Sequence, residues 1–372
     1  MNDEIRYRYW LTNIAGFGKV TANKLLDEYG DARGIWGASE NALEKSLPKK
    51  KMEALINSRE RWNLIEEFDK LENKGIRFIP MCHPDFPDKL KEIPDSPFAI
   101  FVKGKLPDPD KPAVAIIGAR MCSDYGRYMA RELGLCLGQN DIQIISGLAS
   151  GIDGISQQAA LDAKGSTFGV LGCGVDICYP AQNKRIYDAL ESSTYDSGII
   201  SEYPPGTAPR KSLFPPRNRL ISGLSDAVIV VEARKKSGTF ITVDMALEQG
   251  KEVFAIPGRV TDRLSDGCNY LIKQGAGIVV SPRDIVENFY GIQEDDTNKA
   301  RSRKEIKQGN LPPLEQMIMN LLDVNPISSS QIIDGVITQD SSLKASDIMS
   351  TLTILCIKGI VFQEGNYYKK IL

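Results

Sequence analysis

The sequence predicts an α/β protein: a mostly parallel sheet core, preceded by a small helical domain and followed by a small domain of helices and a hairpin. Three observations carry this. From about residue 112, short and fully apolar runs alternate with amphipathic ones, the pattern of strands buried on both faces and joined by helices. Before residue 75, apolar residues recur at helical spacing, with no strand pattern between them. After a charged stretch poor in large apolar side chains, three helix candidates and a β-hairpin end the chain.

Taken in order, residues 1–75 read as a helical domain, with Gly75 a helix C-cap. Residues 76–111 are Pro-rich and read as strands and turns connecting two units, with FAIFVKG as one strand. The core, 112–290, carries strand candidates at 113–119, 142–147, 167–172, 198–204, 227–233, 252–258 and 277–281. A long loop is expected between the strands at 198–204 and 227–233. The segment 291–312 reads as a charged linker, and 313–372 as a winged helix.

With 372 residues, 42% of them apolar and 25% charged, the chain is an ordinary multi-domain soluble protein by composition. Its net charge of −2 excludes a basic blanket for nucleic acid, so any such site has to be a local patch. Seven cysteines without a C-x-x-C pair read as reduced core residues rather than disulfides or a zinc site. No signal peptide and no apolar run long enough to span a bilayer is evident, which points to the cytoplasm. The one histidine, His83, lies in the turn-like CHPDFP and offers no Ser–His or Cys–His nucleophile system. No cofactor or metal is expected: the nearest approach to a dinucleotide fingerprint, Gly172-Cys173-Gly174, has Ile177 where the third glycine belongs.

Four turns of the core carry chemistry. The first, after the strand at 113–119, holds Arg120 and Ser123 at a helix start, where free N–H groups and a guanidinium suit phosphate. The second, SGLASGID, offers Gly147 and Gly151 as a backbone cradle, or else a tight turn capped by Asp153. The third, 204–226, carries Arg210, Lys211, Arg217 and Arg219 with Asn218 among them and Phe214 interleaved. Cations along a backbone beside a ring are how single strands are held without reading sequence; otherwise this is a solvated basic loop with Phe214 as a packing plug. In the fourth, Glu232 ends a strand and Ser237, Gly238 and Thr239 open a helix. Glu232 is either a general base or a strand-end carboxylate paired with Arg or Lys.

The stretches IIGARMCSDYG, SGLASGID, VLGCGVDICYPAQN, SEYPPGT, FPPRNRLISGLS, VEARKKSGTFIT, AIPG and SDGCNYLIKQGA stand in this order across 113–277. As a set they resemble the DNA-processing protein A family, also called DprA or Smf. The resemblance implies a Rossmann-like core that binds single-stranded DNA, loads the RecA recombinase and serves natural transformation as a homodimer. It implies DNA contacts at Arg120, Lys211 and Phe214; Arg217 and Arg219 are added on charge and position. No membrane partner and no enzyme activity are expected, the rival being a nucleotide N-glycosidase built on Glu232. The N-terminal hairpin at 14–18 fits a helix–hairpin–helix, SAM-like pattern or a plain two-helix turn. The last helix of the C-terminal domain is nearly free of charge, which suits a protein partner better than a DNA groove.

Overall fold

The computed structural model describes residues 2–291, 312–323 and 326–370. Most of the expected linker, 292–311, lies outside the described residues. The chain divides into two compact units, Met1–Phe289 and Tyr290–Leu372.

The first unit opens with six helices: α1 Asn2–Thr12, α2 Lys19–Tyr29, α3 Ala32–Gly37, α4 Glu40–Ser46, α5 Lys49–Arg61 and α6 Leu64–Asn73. Trp10, Leu11, Leu25, Ile35, Leu43 and Leu55 bury completely among them. The core then runs β1 Arg77–Pro80, α7 Asp88–Lys91, β2 Ala99–Gly104, β3 Ala113–Ile117, α8 Asp124–Gln139, β4 Gln143–Ser146, α9 Ile152–Asp162 and β5 Thr167–Val170. It continues through α10 Lys184–Glu191, β6 Gly198–Ser201, α11 Phe214–Gly223, β7 Ala227–Val230, α12 Thr239–Glu248, β8 Glu252–Ala255, α13 Asp266–Lys273, β9 Gly277–Ile278 and α14 Arg283–Tyr290.

All nine strands form one sheet in the order β1-β2-β6-β5-β4-β3-β7-β8-β9. From β6 to β9 every pairing is parallel, while β2 joins β6 antiparallel. Strand β3 is central, and its period-2 alternation divides two cores. Ala113, Ala115 and Ile117 face Leu220, Ile221 and Val243 from α11 and α12 on one side. Val114 and Ile116 face Met129, Leu133 and Leu137 of α8 on the other. The sheet is thus covered on both faces, as its unbroken apolar strands require.

Two sequence expectations change here. The stretch at 76–111 does not merely connect: β1 and β2 extend the sheet at its antiparallel edge. The expected long loop before β7 contains a ten-residue helix, α11, preceded by a 3-10 turn at Lys211–Leu213. Its first turn tolerates Pro215 and Pro216 because the N–H groups there have no intrahelical partner anyway.

Among the described residues, the second unit has three helices, α15 Pro313–Leu321, α16 Ser329–Gln339 and α17 Ala345–Ile357. A three-stranded antiparallel sheet completes it, β10 Ile327–Ser328, β11 Val361–Glu364 and β12 Tyr367–Lys370, in the order β10-β12-β11. Ile318, Ile332, Val336, Ile348, Leu352 and Leu355 give this unit its own buried core.

Candidate nucleic-acid interface

The strand order reverses between β3 and β7, and an open α/β sheet binds ligands in the crevice outside the carboxyl ends at such a point. Here the protein fills that crevice itself. Glu232, 2% exposed, follows β7 and turns its carboxylate onto the start of α8. It accepts from Ser123 N at 2.9 Å and from the Ser123 hydroxyl. Ser123 in turn caps α8, accepting from Gly126 N at 3.1 Å. The carboxylate stands where a phosphate would meet the helix dipole. Ser123 is therefore engaged as a cap, and Glu232 is paired with a helix N-terminus rather than with Arg or Lys.

The second turn is closed in the same way. Gly147 is buried, and its N–H donates to Asp153 Oδ2 at 3.1 Å while its carbonyl accepts from Arg217 Nη1 at 3.0 Å. Asp153 lies inside the first turn of α9, and the N-cap is Gly151. Gly151 has φ +79°, and a Cβ there would lie 2.3 Å from the carbonyl oxygen of Ala119, so only glycine lets this turn press against the Arg120 turn. Burial pushes the Asp153 carboxyl up, against the pull of Arg217. Burial also pushes the Arg217 guanidinium down, to about 10.

That burial overturns part of the reading of 204–226. Arg217 is 4% exposed; it donates to the carbonyls of Gly147 and Val170, and Asn218 Oδ1 accepts from its Nε at 3.3 Å. Arg219 is 8% exposed, donates to Asp95 Oδ2 at 2.9 Å and pairs with Glu202. Neither is a free cation for a strand. They lie on α11 and face inward, so they tie that helix to the sheet and to the 92–98 turns instead.

Arg120, Arg210 and Lys211 remain, all exposed and without a carboxylate partner among the described residues. The Arg120 guanidinium carbon lies 5.8 Å from the Phe214 ring centroid, within cation–π range. Phe214 is half-buried over Gly172, where a Cβ would come within 2.7 Å of the ring. A ring that sequence reasoning missed stacks on it: Tyr179, at 5.5 Å between centroids and 29° between planes. Its only signal is an aromatic in VDICYPAQN, a stretch whose glycines draw the eye first. Gln182 Nε2 donates to Ser150 Oγ at 2.6 Å, and Asn183 Nδ2 to Leu148 O at 2.9 Å, which ties this turn to the one before α9. The turns after β3, β4 and β5 and the start of α11 thus form one contiguous group. Ser237, Gly238 and Thr239 do open α12, with Gly238 as N-cap, but no hydrogen bond or ring contact among the described residues joins them to that group.

Among the described residues, no cluster of three His, Cys, Asp or Glu side chains is placed to hold a metal. No described helix is long and apolar enough to cross a membrane.

A mostly parallel sheet with helices on both faces, its switch point occupied by Glu232 and its strand-end face carrying Arg120 and the stacked rings of Phe214 and Tyr179, defines a Rossmann-like α/β protein. The chain belongs to the family described as DNA recombination-mediator protein A, whose family model matches residues 77–290. It is 43% identical to the DNA processing protein DprA of Streptococcus pneumoniae over 227 residues, 61% of this chain and 77% of that one. It is 30% identical to the protein Smf of Synechocystis over 398 aligned residues, 97% of this chain and 98% of that one. The solved structure of the S. pneumoniae protein superimposes with a TM-score of 0.63 at 35% identity, covering 76% of this chain and 96% of that one. DNA processing protein A from Helicobacter pylori, whose structure was described for its single-stranded DNA binding mode, gives 0.51 at 30% identity over 57% of this chain and 95% of that one.

Proposed function

We propose that this chain is a recombination mediator that binds single-stranded DNA across the carboxyl ends of β3, β4 and β5, and that it acts without catalysing a reaction. One observation carries the reading: Arg120, exposed and without a carboxylate partner among the described residues, lies over the ring of Phe214, on which Tyr179 stacks, and the exposed Lys211 opens the 3-10 turn that leads into Phe214. Cations of this kind follow a sugar–phosphate backbone, and rings of this kind need an unpaired base. Family membership supports the rest: hand-over of the strand to the RecA recombinase, a role in competence and natural transformation, a cytoplasmic location, and a homodimer through the Rossmann-like core. The three helices and three-stranded sheet of the second unit read as a winged helix, and the six N-terminal helices as a helix–hairpin–helix domain with its hairpin at 14–18. The rival reading, an N-glycosidase using Glu232, is disfavoured because that carboxylate is buried and engaged with Ser123.

The test is a salt titration of affinity for a single-stranded oligonucleotide and for a duplex of the same length. Single strands should bind more tightly at matched salt. In Arg120→Ala and Lys211→Ala, affinity should fall alike for every sequence, and the log–log salt slope should shrink by roughly 0.7 for each phosphate no longer neutralised. Equal affinity for both forms, or an unaltered slope in Arg120→Ala, would overturn the reading.

A further inference from the structure

We propose that Tyr179 presents the face on which a base of the bound strand stacks, with Phe214 as the ring that supports it. The inference rests on the single-strand reading above and assigns the contact within it. Phe214 has little ring left to offer. It is half-buried, its edge rests over Gly172, one face carries Tyr179, and the guanidinium carbons of Arg120 and Arg217 each lie 5.8 Å from its centroid. Tyr179 is 41% exposed, although an aromatic ring of this size gains from burial. Its stacking on Phe214 covers part of the ring and leaves the rest to solvent.

The backbone around Tyr179 is held. Val175 is fully buried, and Ile177 and Cys178 pack against the same core. Beyond the following proline, the Asn183 side chain donates to Leu148 O and Ala149 O at 2.9 and 3.0 Å. A ring fixed at its base and open on the outside is a stacking platform, and it accepts any base because every base has a π-face. With the Arg120 guanidinium 5.8 Å from the Phe214 centroid and the exposed Lys211 three residues before Phe214 in the chain, phosphates and base would have separate partners.

The experiment compares oligo(dT) affinity, salt slope and melting temperature for the wild type, Tyr179→Ala and Tyr179→Phe. Tyr179→Ala should lose roughly five- to hundredfold in affinity, with its salt slope unchanged because no charge is removed. Tyr179→Phe should keep the wild-type affinity within about twofold, since the ring and not the hydroxyl makes the contact. A third variant, Tyr179→Trp, serves as a reporter: its emission should be quenched on adding oligo(dT), beyond the background from Trp10, Trp36 and Trp62. A folded Tyr179→Ala protein that binds as the wild type does would overturn the proposal. Should Tyr179→Ala not fold, absence of excess quenching in Tyr179→Trp would overturn it alone. Failure of the wild type itself to bind oligo(dT) is a different result and strikes the single-strand reading first.

Discussion

The two arginines nearest Phe214 have the same formal charge and opposite duties. Arg120 is exposed, and its removal should leave stability within roughly 0.5 kcal/mol while weakening DNA binding. Arg217 is buried between two carbonyls and beside Asp153. Arg217→Ala leaves a buried carboxylate without its opposite charge, so it should cost on the order of 3–5 kcal/mol of stability. The pH dependence follows from Asp153. Burial raises its folded pKa above the ordinary 3.8, and the loss of Arg217 raises it further. The unfolded chain then sheds its proton first as pH rises, which favours the unfolded state. The melting-temperature gap between wild type and Arg217→Ala should therefore be wide at pH 7 and narrow as pH falls towards 4. A gap independent of pH would mean that Asp153 is not the charge Arg217 compensates. None of this was legible in the sequence. Charge and position mark all four cations of 204–226 alike, because arginine is rarely buried. Only the fold shows which two lie on the inner face of a helix.

Elements divide in the same way. The strands of the core were readable because a strand buried on both faces leaves a run of Val, Ile and Ala with no polar interruption. Helix α11 was not, because its inward positions include Arg217, Arg219 and Ser222 and it starts on Phe-Pro-Pro. A helix whose buried face is polar shows no apolar stripe, and the prolines read as a loop. The start of α8 was legible as an anion site, and the structure supplies the anion from within. Glu232→Ala would remove an acceptor for Ser123 N and Ser123 Oγ and leave a gap at the switch point. It should lower stability by about 1–3 kcal/mol. Molecules that remain folded should bind single strands normally, since the carboxylate lies inside and the cations outside. Consumption of a nucleoside monophosphate by the wild type, abolished in this variant, would instead restore Glu232 as a catalytic base.

At the scale of the whole molecule, the question is which parts can be cut away. The sequence marks two domain boundaries, near 75 and near 291–312, as though they were equivalent. Packing makes them unequal. On the N-terminal side, Tyr9 of α1 packs against Phe78 of β1 and Phe101 of β2, with ring centroids 5.4 and 6.1 Å apart. Leu71 and Ile76 enter the same buried cluster as Leu171, Tyr187 and Ile199. The helices before β1 thus cover one end of the sheet's own core. A chain starting at residue 77 would expose that aromatic surface, each buried ring being worth several kcal/mol. It should aggregate or melt well below the intact protein. The C-terminal side is cut at a boundary between two units, each with a core of its own. The division falls between Phe289 and Tyr290, and the residues beyond 312 bury their own leucines and isoleucines. A chain ending at residue 291 should therefore melt within a few degrees of the first transition of the full chain. It should also bind a single-stranded oligonucleotide with unchanged affinity and salt slope, because Arg120, Tyr179, Lys211 and Phe214 all lie before the cut. Calorimetry on the two truncations and an affinity titration on the second check this. A well-folded C-terminal truncation with weakened binding would mean that the second unit supplies part of the DNA site, and that the strand path runs beyond the carboxyl ends of β3, β4 and β5.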